Sequence, residues 1–521
     1  MSRDELKIAP PGGVDLPVLP HSWGWAYLSQ LLTRIDAGKS FKCEERPPTA
    51  SEYGIVKVSA VTWGVYDEGE SKTITDDERV NLDYLIKSGD FLFSRANTIE
   101  LVGACLIVHN TRRKLLLSDK ILRFEFAGDF KNWINWILKS RLGRLQIEAL
   151  STGNQESMRN IGQERIGRIC VPIPPVNERV RIVAKLEELL SEVDNGVETL
   201  TIARQQLTAY RQSVLKHAFE GKLTKDWRCA KRLSVHTVLA DIHSERETRT
   251  PKKATRLEAE QRDFALLPQV PEAWATEYLG HLNVKVFDGP FGSNLKTNDY
   301  VDSGIRVIRL ENIGQGRFID EKRSFVSERK YKELQKHTVV PGDIVFSSFV
   351  TETIRSALVP SSIPYAVNKA DCFGIRFLGN KINSKFVQMF FQSRNAFKQV
   401  ERMVHGVGRP RINTSQLKEI TIPVCSPPEQ ELIVDRLEGI LSKTDALWDE
   451  IERDLSQLSL LRQSILEQAF SGQLVVQDPK DEPASALLER IRAEREGAAT
   501  SAKSKAQRPA GNGKNGKKKV A

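Results

Sequence analysis

Arg211-Gln212-Ser213-Val214-Leu215, with Ala218-Phe219 and Gly221 behind it, returns 251 positions later (462 less 211) as Arg462-Gln463-Ser464-Ile465-Leu466, Ala469-Phe470 and Gly472. The offset holds back to the start of the stretch, where Glu178, Val183 and Leu186 answer Glu429, Val434 and Leu437. A register kept that long without a gap marks an internal duplication. The period is far too long for a solenoid and is the size of a domain plus a helix.

Each copy carries a heptad-like seam. In the first it runs Val183, Leu186, Leu190, Val193, Val197, Leu200, Leu207, Tyr210, Val214; in the second Val434, Leu437, Leu441, Thr444, Trp448, Ile451, Leu455, Leu458, Ile465. A three-four rhythm sustained over this length predicts a coiled coil. Prolines precede each helix (Pro172, Pro174, Pro175; Pro423, Pro427, Pro428) and Gly221 and Gly472 follow, the usual start and stop signals. About 43 residues rise roughly 65 Å. Two such seams in one chain bury each other, and the antiparallel pairing needs only a short connection. It holds two domains at opposite ends of a rod, about a pseudo-twofold axis.

The globular parts are duplicated too. Leu16-Pro17, Pro20, Trp23, Tyr27 and Leu28 reappear as Leu267-Pro268, Pro271, Trp274, Tyr278 and Leu279, and Gly89-Asp90-Phe91-Leu92-Phe93-Ser94 as Gly342-Asp343-Ile344-Val345-Phe346-Ser347. Between these anchors the copies differ freely, as one scaffold carrying two different surfaces would. Short β-rich runs (54–61, 91–93, 305–310, 344–346) and one late helix per domain (132–150, 383–404) are expected. The fold class is α+β: two mixed α/β domains separated by two long helices in an antiparallel coiled coil. The expected divisions are a flexible lead 1–15, a first domain 16–175, a long helix 176–226 and a charged connector with a short helix 227–262. A second domain 263–427, a second long helix 428–476, a repeat of the short helix 477–496 and a basic disordered tail 497–521 follow.

Of the 521 residues 28% are charged, and no apolar run is long enough to cross a bilayer. The N-terminus has no signal-peptide pattern. The six cysteines are scattered without a Cys-x-x-Cys pair, so neither a zinc site nor a disulfide framework is indicated, and a cytoplasmic location is expected. The formal charge is +10, but seven Lys and Arg with no acid lie beyond Gly497, leaving the body near +3. Gly38-Lys39-Ser40 is not a phosphate loop, because Thr33 stands where that motif needs glycine. No His-Glu-x-x-His pattern and no Asn-Pro-Pro-aromatic or Asp-Pro-Pro-aromatic amino-methylation motif appears. His405, beside glycines, reads as a loop residue. The chain is therefore expected to be non-catalytic, with no metal or cofactor of its own.

Its candidate surfaces are loops of Gly, Ser, Thr, Asn and Arg. In the first domain they bring Lys39, Ser40, Arg95, Asn97, Thr98, Asn154, Gln155 and Arg159; in the second Ser293, Asn294, Lys296, Ser348, Thr351, Arg409, Arg411 and Asn413. Such side chains suit phosphates and base edges, Arg towards guanine and Asn or Gln towards adenine. The rival reading is a two-headed adaptor that binds proteins through the same repeat.

Taken in order, and twice, these motifs resemble the specificity subunit of type I restriction-modification systems. The resemblance rests on Pro428-Glu429-Gln430, the Arg-Gln-Ser-hydrophobic-Leu and Ala-Phe-x-Gly helix ends, the Gly-Asp-hydrophobic-hydrophobic-Phe-Ser runs and Asp288-Gly289-Pro290-Phe291-Gly292. Copy one departs from it, with Asn177-Glu178-Arg179 and Asp36-Ala37-Gly38-Lys39-Ser40 at the matching places. The resemblance implies two target-recognition domains, each reading one half of a split, asymmetric site on double-stranded DNA, with the rod setting the unread gap. It implies two modification subunits that methylate adenine at N6 with S-adenosylmethionine, and restriction subunits driven by ATP with magnesium. Lys185, Glu188, Glu192, Arg436 and Lys443, on outward helix faces, would dock those partners.

Overall fold

The computed structural model describes residues 9–155, 158–231, 235–249, 269–292, 294–405 and 410–506. The chain forms two compact units, one of residues 1–199 with 454–521 and one of residues 200–453. Two helices of 44 residues, Val176–Phe219 and Pro427–Phe470, each give one part to either unit.

In the first unit a four-stranded antiparallel sheet runs in the order Leu32–Ala37, Ile121–Phe126, Phe91–Ser94, Cys105–Ile107. A three-stranded sheet (Ser71–Thr73, Tyr53–Val56, Lys114–Leu116) lies apart from it in pairing, its last two strands parallel. Gly24–Tyr27 pairs with Cys170–Ile173, so the start and end of the domain are stitched together. Phe124 stacks on Phe91 and Phe93 with centroids 5.5 and 5.0 Å apart. Trp133 sits edge-on between Trp23 and Phe470, at 5.9 and 5.0 Å, and its indole N–H donates to Pro172 O. The end of the second long helix, with Ile465, Leu466, Ala469 and Phe470 buried, thus closes this core. Leu186, Leu190 and Val193 of the first long helix are buried beside it.

The second unit repeats the scheme with its own strands. Its four-stranded sheet is Val284–Phe287, Cys372–Phe377, Ile344–Ser347, Ser356–Leu358, and a five-stranded sheet (Tyr300–Val301, Ser324–Val326, Ile305–Ile308, Ala366–Asn368, Thr338–Val339) replaces the three-stranded one. Ala275–Tyr278 pairs with Thr421–Val424. Here Phe219, at the end of the first long helix, closes the core against Phe386 and Phe390 at 5.3 and 5.2 Å.

Within each unit the two long helices run antiparallel. Arg204–Glu452 and Arg211–Asp445 are paired in the second unit, so one index falls as the other rises. In the first unit Asp194 pairs with Arg462 and Gly196 lies against Leu458. The seam is dry only where it rests on a domain core. Val434, Leu437, Leu441, Thr444 and Val214 are buried, whereas Tyr210 and Trp448 of the same seam are 52% and 38% exposed. Two helices alone cover only half of one another, which is why those two positions stay wet.

The single late helix expected in each domain is instead two. Lys131–Lys139 and Arg141–Leu150 break at Ser140, Ser384–Phe391 and Arg394–Met403 just before Ser393. Each serine is extended and its hydroxyl caps the following helix, accepting from Gly143 N and Ala396 N. Gly143 packs so closely on the Ile137 carbonyl that a Cβ would not fit. The connector helix spans His236–Arg249 and the C-terminal one Ala484–Ala506, which runs past Gly497 into the stretch expected to be disordered. The connector from 250, the opening of the second domain to 268 and the tail from 507 lie outside the described residues. Among the described residues, no helix is long and apolar enough to cross a membrane.

Candidate nucleic-acid interface

The repeated Gly-Asp pair builds the base of the site. Gly89 and Gly342 both take φ +85°, a turn conformation that glycine adopts without strain. The aspartate that follows then reaches back: Asp90 accepts from Lys87 N and Asp343 from Val340 N. Each also binds an arginine of a neighbouring strand. Arg123, 7% exposed, bonds Asp36 (2.7 Å), Asp90 (3.3 Å) and the carbonyls of Asp83 and Leu85. Arg376 bonds Asp343 through two nitrogens. Both arginines are thereby committed to structure, and the strands Phe91–Ser94 and Ile344–Ser347 are held so that their C-terminal ends deliver the next loop.

In the first unit that loop meets residues from far along the chain. Ala96–Asn97 forms the edge of a three-stranded antiparallel sheet with Met158–Asn160 and Thr152–Gln155. Asn97 lies opposite Arg159 in register, and Arg95 Nε donates to Asn160 Oδ1 at 3.3 Å. Arg95 N donates to Lys120 O, and Ser40 Oγ bonds the adjoining Asp119, which brings the exposed Lys39 and Ser40 to the same edge. Thr98 follows with its N–H on Asn97 Oδ1. Asn154 and Gln155 lie on the strand Thr152–Gln155; their side chains lie outside the described residues. The early loop, the strand-end loop and the hairpin before the first long helix thus converge.

The second unit gathers the corresponding stretches. Ser348 N donates to Asp371 O, Ile412 N to Ser348 O and Val350 N to Pro410 O. Arg411 is exposed and its backbone exchanges both hydrogen bonds with His405. Thr351, Asn294 and Lys296 are exposed as well. Two residues turn out otherwise than their composition suggests. Ser348 is only 1% exposed, its hydroxyl held by Asp371 Oδ1 at 3.0 Å, so it shapes the loop rather than facing out. Asn413 is exposed, but its Oδ1 caps the helix Thr414–Lys418. Ser293 and Arg409 lie outside the described residues.

The early loop of this unit is held tightly. Asp288 Oδ1 accepts from Gly289 N (2.7 Å) and Asp371 N (3.0 Å), while His337 Nδ1 donates to Asp288 O. Burial pushes the Asp288 carboxyl above its usual value and the charge of Asp371 adds to that, against the Gly289 N–H. Gly289 abuts the Lys369 carbonyl with no room for a Cβ, as Gly38 abuts Leu117 in the first unit. These glycines stand 251 apart, so Lys39-Ser40 occupies the place of Pro290-Phe291. A cleft of about 540 Å³ opens beside the loop, lined by Phe291, Asp371, His405, Arg411 and Asn413 among others. Among the described residues no cluster of His, Cys, Asp and Glu could hold a metal ion.

Of the helix-face residues, Lys185 pairs with Glu188 at 2.8 Å, Glu192 and Lys443 are exposed, and Arg436 donates to Leu223 O. Sequence reasoning missed Arg123 and Arg376, although their partner Asp90 or Asp343 lies in the motif it did find.

The family model for the type I restriction modification DNA specificity domain matches residues 294–456. The type I restriction enzyme EcoEI specificity subunit of Escherichia coli is 30% identical over 190 residues, which are 36% of this chain and about a third (32%) of that subunit. The EcoKI specificity subunit of Escherichia coli K12 is 25% identical over 70% of this chain and 72% of its own length, and the EcoDI subunit of Escherichia coli 24% over 74% and 79%. A chain solved in work on complex assembly and conformational transition of the type I R-M system shares the fold, with TM-score 0.57 at 17% identity over 88% of this chain and all of that one. The same scaffold thus occurs twice, and in each unit it gathers polar loops from distant parts of the chain. In sequence the chain is similar to the specificity subunits of type I restriction-modification systems.

Proposed function

We propose that this chain is the DNA-reading subunit of a type I restriction-modification complex and does no chemistry itself. The recognition domains, 16–175 and 263–427, each read one half of a bipartite target on double-stranded DNA. The two long helices set the length of the unread gap. One observation carries the reading: in each unit, stretches distant in sequence bring polar and cationic residues, some exposed and some half-buried, to one edge. Arg159 and Asn97, in register on a small sheet, suit base edges, as Arg411 does in the second unit; Lys39 and Lys296 suit phosphates. The two sets share a scaffold and differ in side chains, so the two half-sites are unlike.

Two modification subunits, methylating adenine N6 with S-adenosylmethionine, and restriction subunits using ATP and magnesium would supply the chemistry. They would dock along the exposed faces of the long helices that carry Lys185, Glu188, Glu192, Arg436 and Lys443. The test is a genome-wide map of N6-methyladenine with and without the gene, in cells that express the modification subunits. One split motif with unlike halves and a fixed gap disappears on deletion. An unchanged map sinks the reading.

A further inference from the structure

Phe291 is 66% exposed, although a large aromatic side chain normally finds cover. It is not a floppy residue on a loose loop. The loop beneath it is clamped three ways: by the Asp288 carboxylate on Gly289 N and Asp371 N, by His337 on Asp288 O, and by the packing of Gly289 on the Lys369 carbonyl. Pro290 is buried, and Phe291 O accepts from Asn294 N at 2.8 Å. A rigid base thus presents a bare ring. Phe291 lines the same cleft as Arg411, within the polar set of the second unit. A guanidinium and hydrogen-bonding groups beside an uncovered ring match a duplex, whose base edges take the guanidinium and whose base faces take the ring.

We propose that Phe291 is a wedge for the half-site read by the second unit. It enters a base step, opens the stack there and covers the exposed base face with its ring. This rests on the DNA-reading function proposed above. The equivalent loop of the first unit ends in Lys39-Ser40, which has nothing to insert. Met158, exposed on the hairpin of that unit, belongs to a different element.

The test uses the full chain assembled with its modification subunits. Duplexes of the methylated motif carry 2-aminopurine at successive positions outside the methylated adenines, and its fluorescence rises when a base loses its neighbour. The assembled wild type is expected to raise it at one step of one half-site. Phe291→Ala should return that step to the duplex baseline and weaken binding of the motif about tenfold, the scale of one lost base–aromatic stack. Phe291→Trp should keep the signal, and Met158→Ala should leave that half unchanged. Because Phe291 is exposed, the Ala variant should melt with the wild type. A signal that persists in Phe291→Ala overturns the wedge while leaving DNA reading intact. A wild type that binds the motif no better than a scrambled duplex overturns both.

Discussion

Glu178 and Glu429 occupy the same place in the two repeats, and their replacement by glutamine should move stability in opposite directions. Glu429 is 2% exposed and accepts from three donors: Thr224 Oγ1 and Arg228 Nη1, both at 2.7 Å, and Trp274 Nε1 at 2.9 Å. Arg228 is itself largely buried. Glu429→Gln leaves that guanidinium without its counter-charge, and breaking a buried pair costs about 3 kcal/mol or more. For a unit of this size that lowers Tm by about 6–12 °C. Glu178 is 1% exposed, yet the offset of 251 puts Val475 and Pro479 where its twin has Thr224 and Arg228. Its Oε1 has no hydrogen-bond partner. Burial pushes its carboxyl up, with the Trp23 indole and Arg181 pulling against it. A carboxyl raised in the folded chain contributes stability that is present below its ordinary value and is lost as pH rises through the folded one. Glu178→Gln should therefore raise Tm at pH 7, by the few degrees that about 1 kcal/mol gives. The gain should shrink as pH approaches the carboxylate range near 4. Calorimetry of both variants at pH 7 and at pH 5 checks this. Equal losses in the two variants, or a gain for Glu178→Gln that does not depend on pH, would refute the reasoning.

Three further outcomes follow from the geometry. The affinity of the assembled complex for its motif should fall steeply with salt, and Lys39→Ala and Lys296→Ala should each reduce the log–log slope by about 0.9, as the loss of one phosphate contact does; anisotropy titrations over a salt series would expose slopes that do not change. Gly289→Ala and Gly38→Ala force a Cβ into a backbone carbonyl, so each should cost about 1–3 kcal/mol and blunt discrimination at the base pairs its own unit reads, seen by thermal melting and motif mapping. Ser140→Ala and Ser393→Ala remove the cap between paired helices and should each cost about 1 kcal/mol in denaturant unfolding, while a loss near zero would mean the break is held by packing alone.

What the sequence made legible was the long-range order. The repeated Arg-Gln-Ser and Ala-Phe endings led to the two helices because identity at one fixed offset is independent of packing. The break at Ser140 was hidden, since apolar positions keep the helical rhythm on both sides of it and only the serine's extended backbone separates them. The small sheet joining Asn97 to Arg159 was hidden as well: its strands are too short for an alternating pattern, and pairing across some sixty residues leaves no local trace. Ser348 was misjudged because a serine after a strand reads as loop surface, and nothing in the sequence announces that Asp371 and Ile412 close over it. Gly89-Asp90 and Gly342-Asp343 were found as anchors, but their purpose depends on Arg123 and Arg376, which lie 33 positions further on in both copies.

The way the first unit is closed has a bearing on when it can form. Its core takes Trp23 and Trp133 from early in the chain and Phe470 from late in it. Residue 470 leaves the ribosome 271 residues after residue 199 (470 less 199), a lag of roughly 14 to 54 seconds at about 5–20 residues per second. Throughout that interval the face of Trp133 lacks its partner. The second unit, continuous from 200 to 453, is fully synthesised first. The half of the molecule that is made first is therefore the half that is finished last, and a nascent chain spends that wait with an apolar surface open to chaperones and to its neighbours.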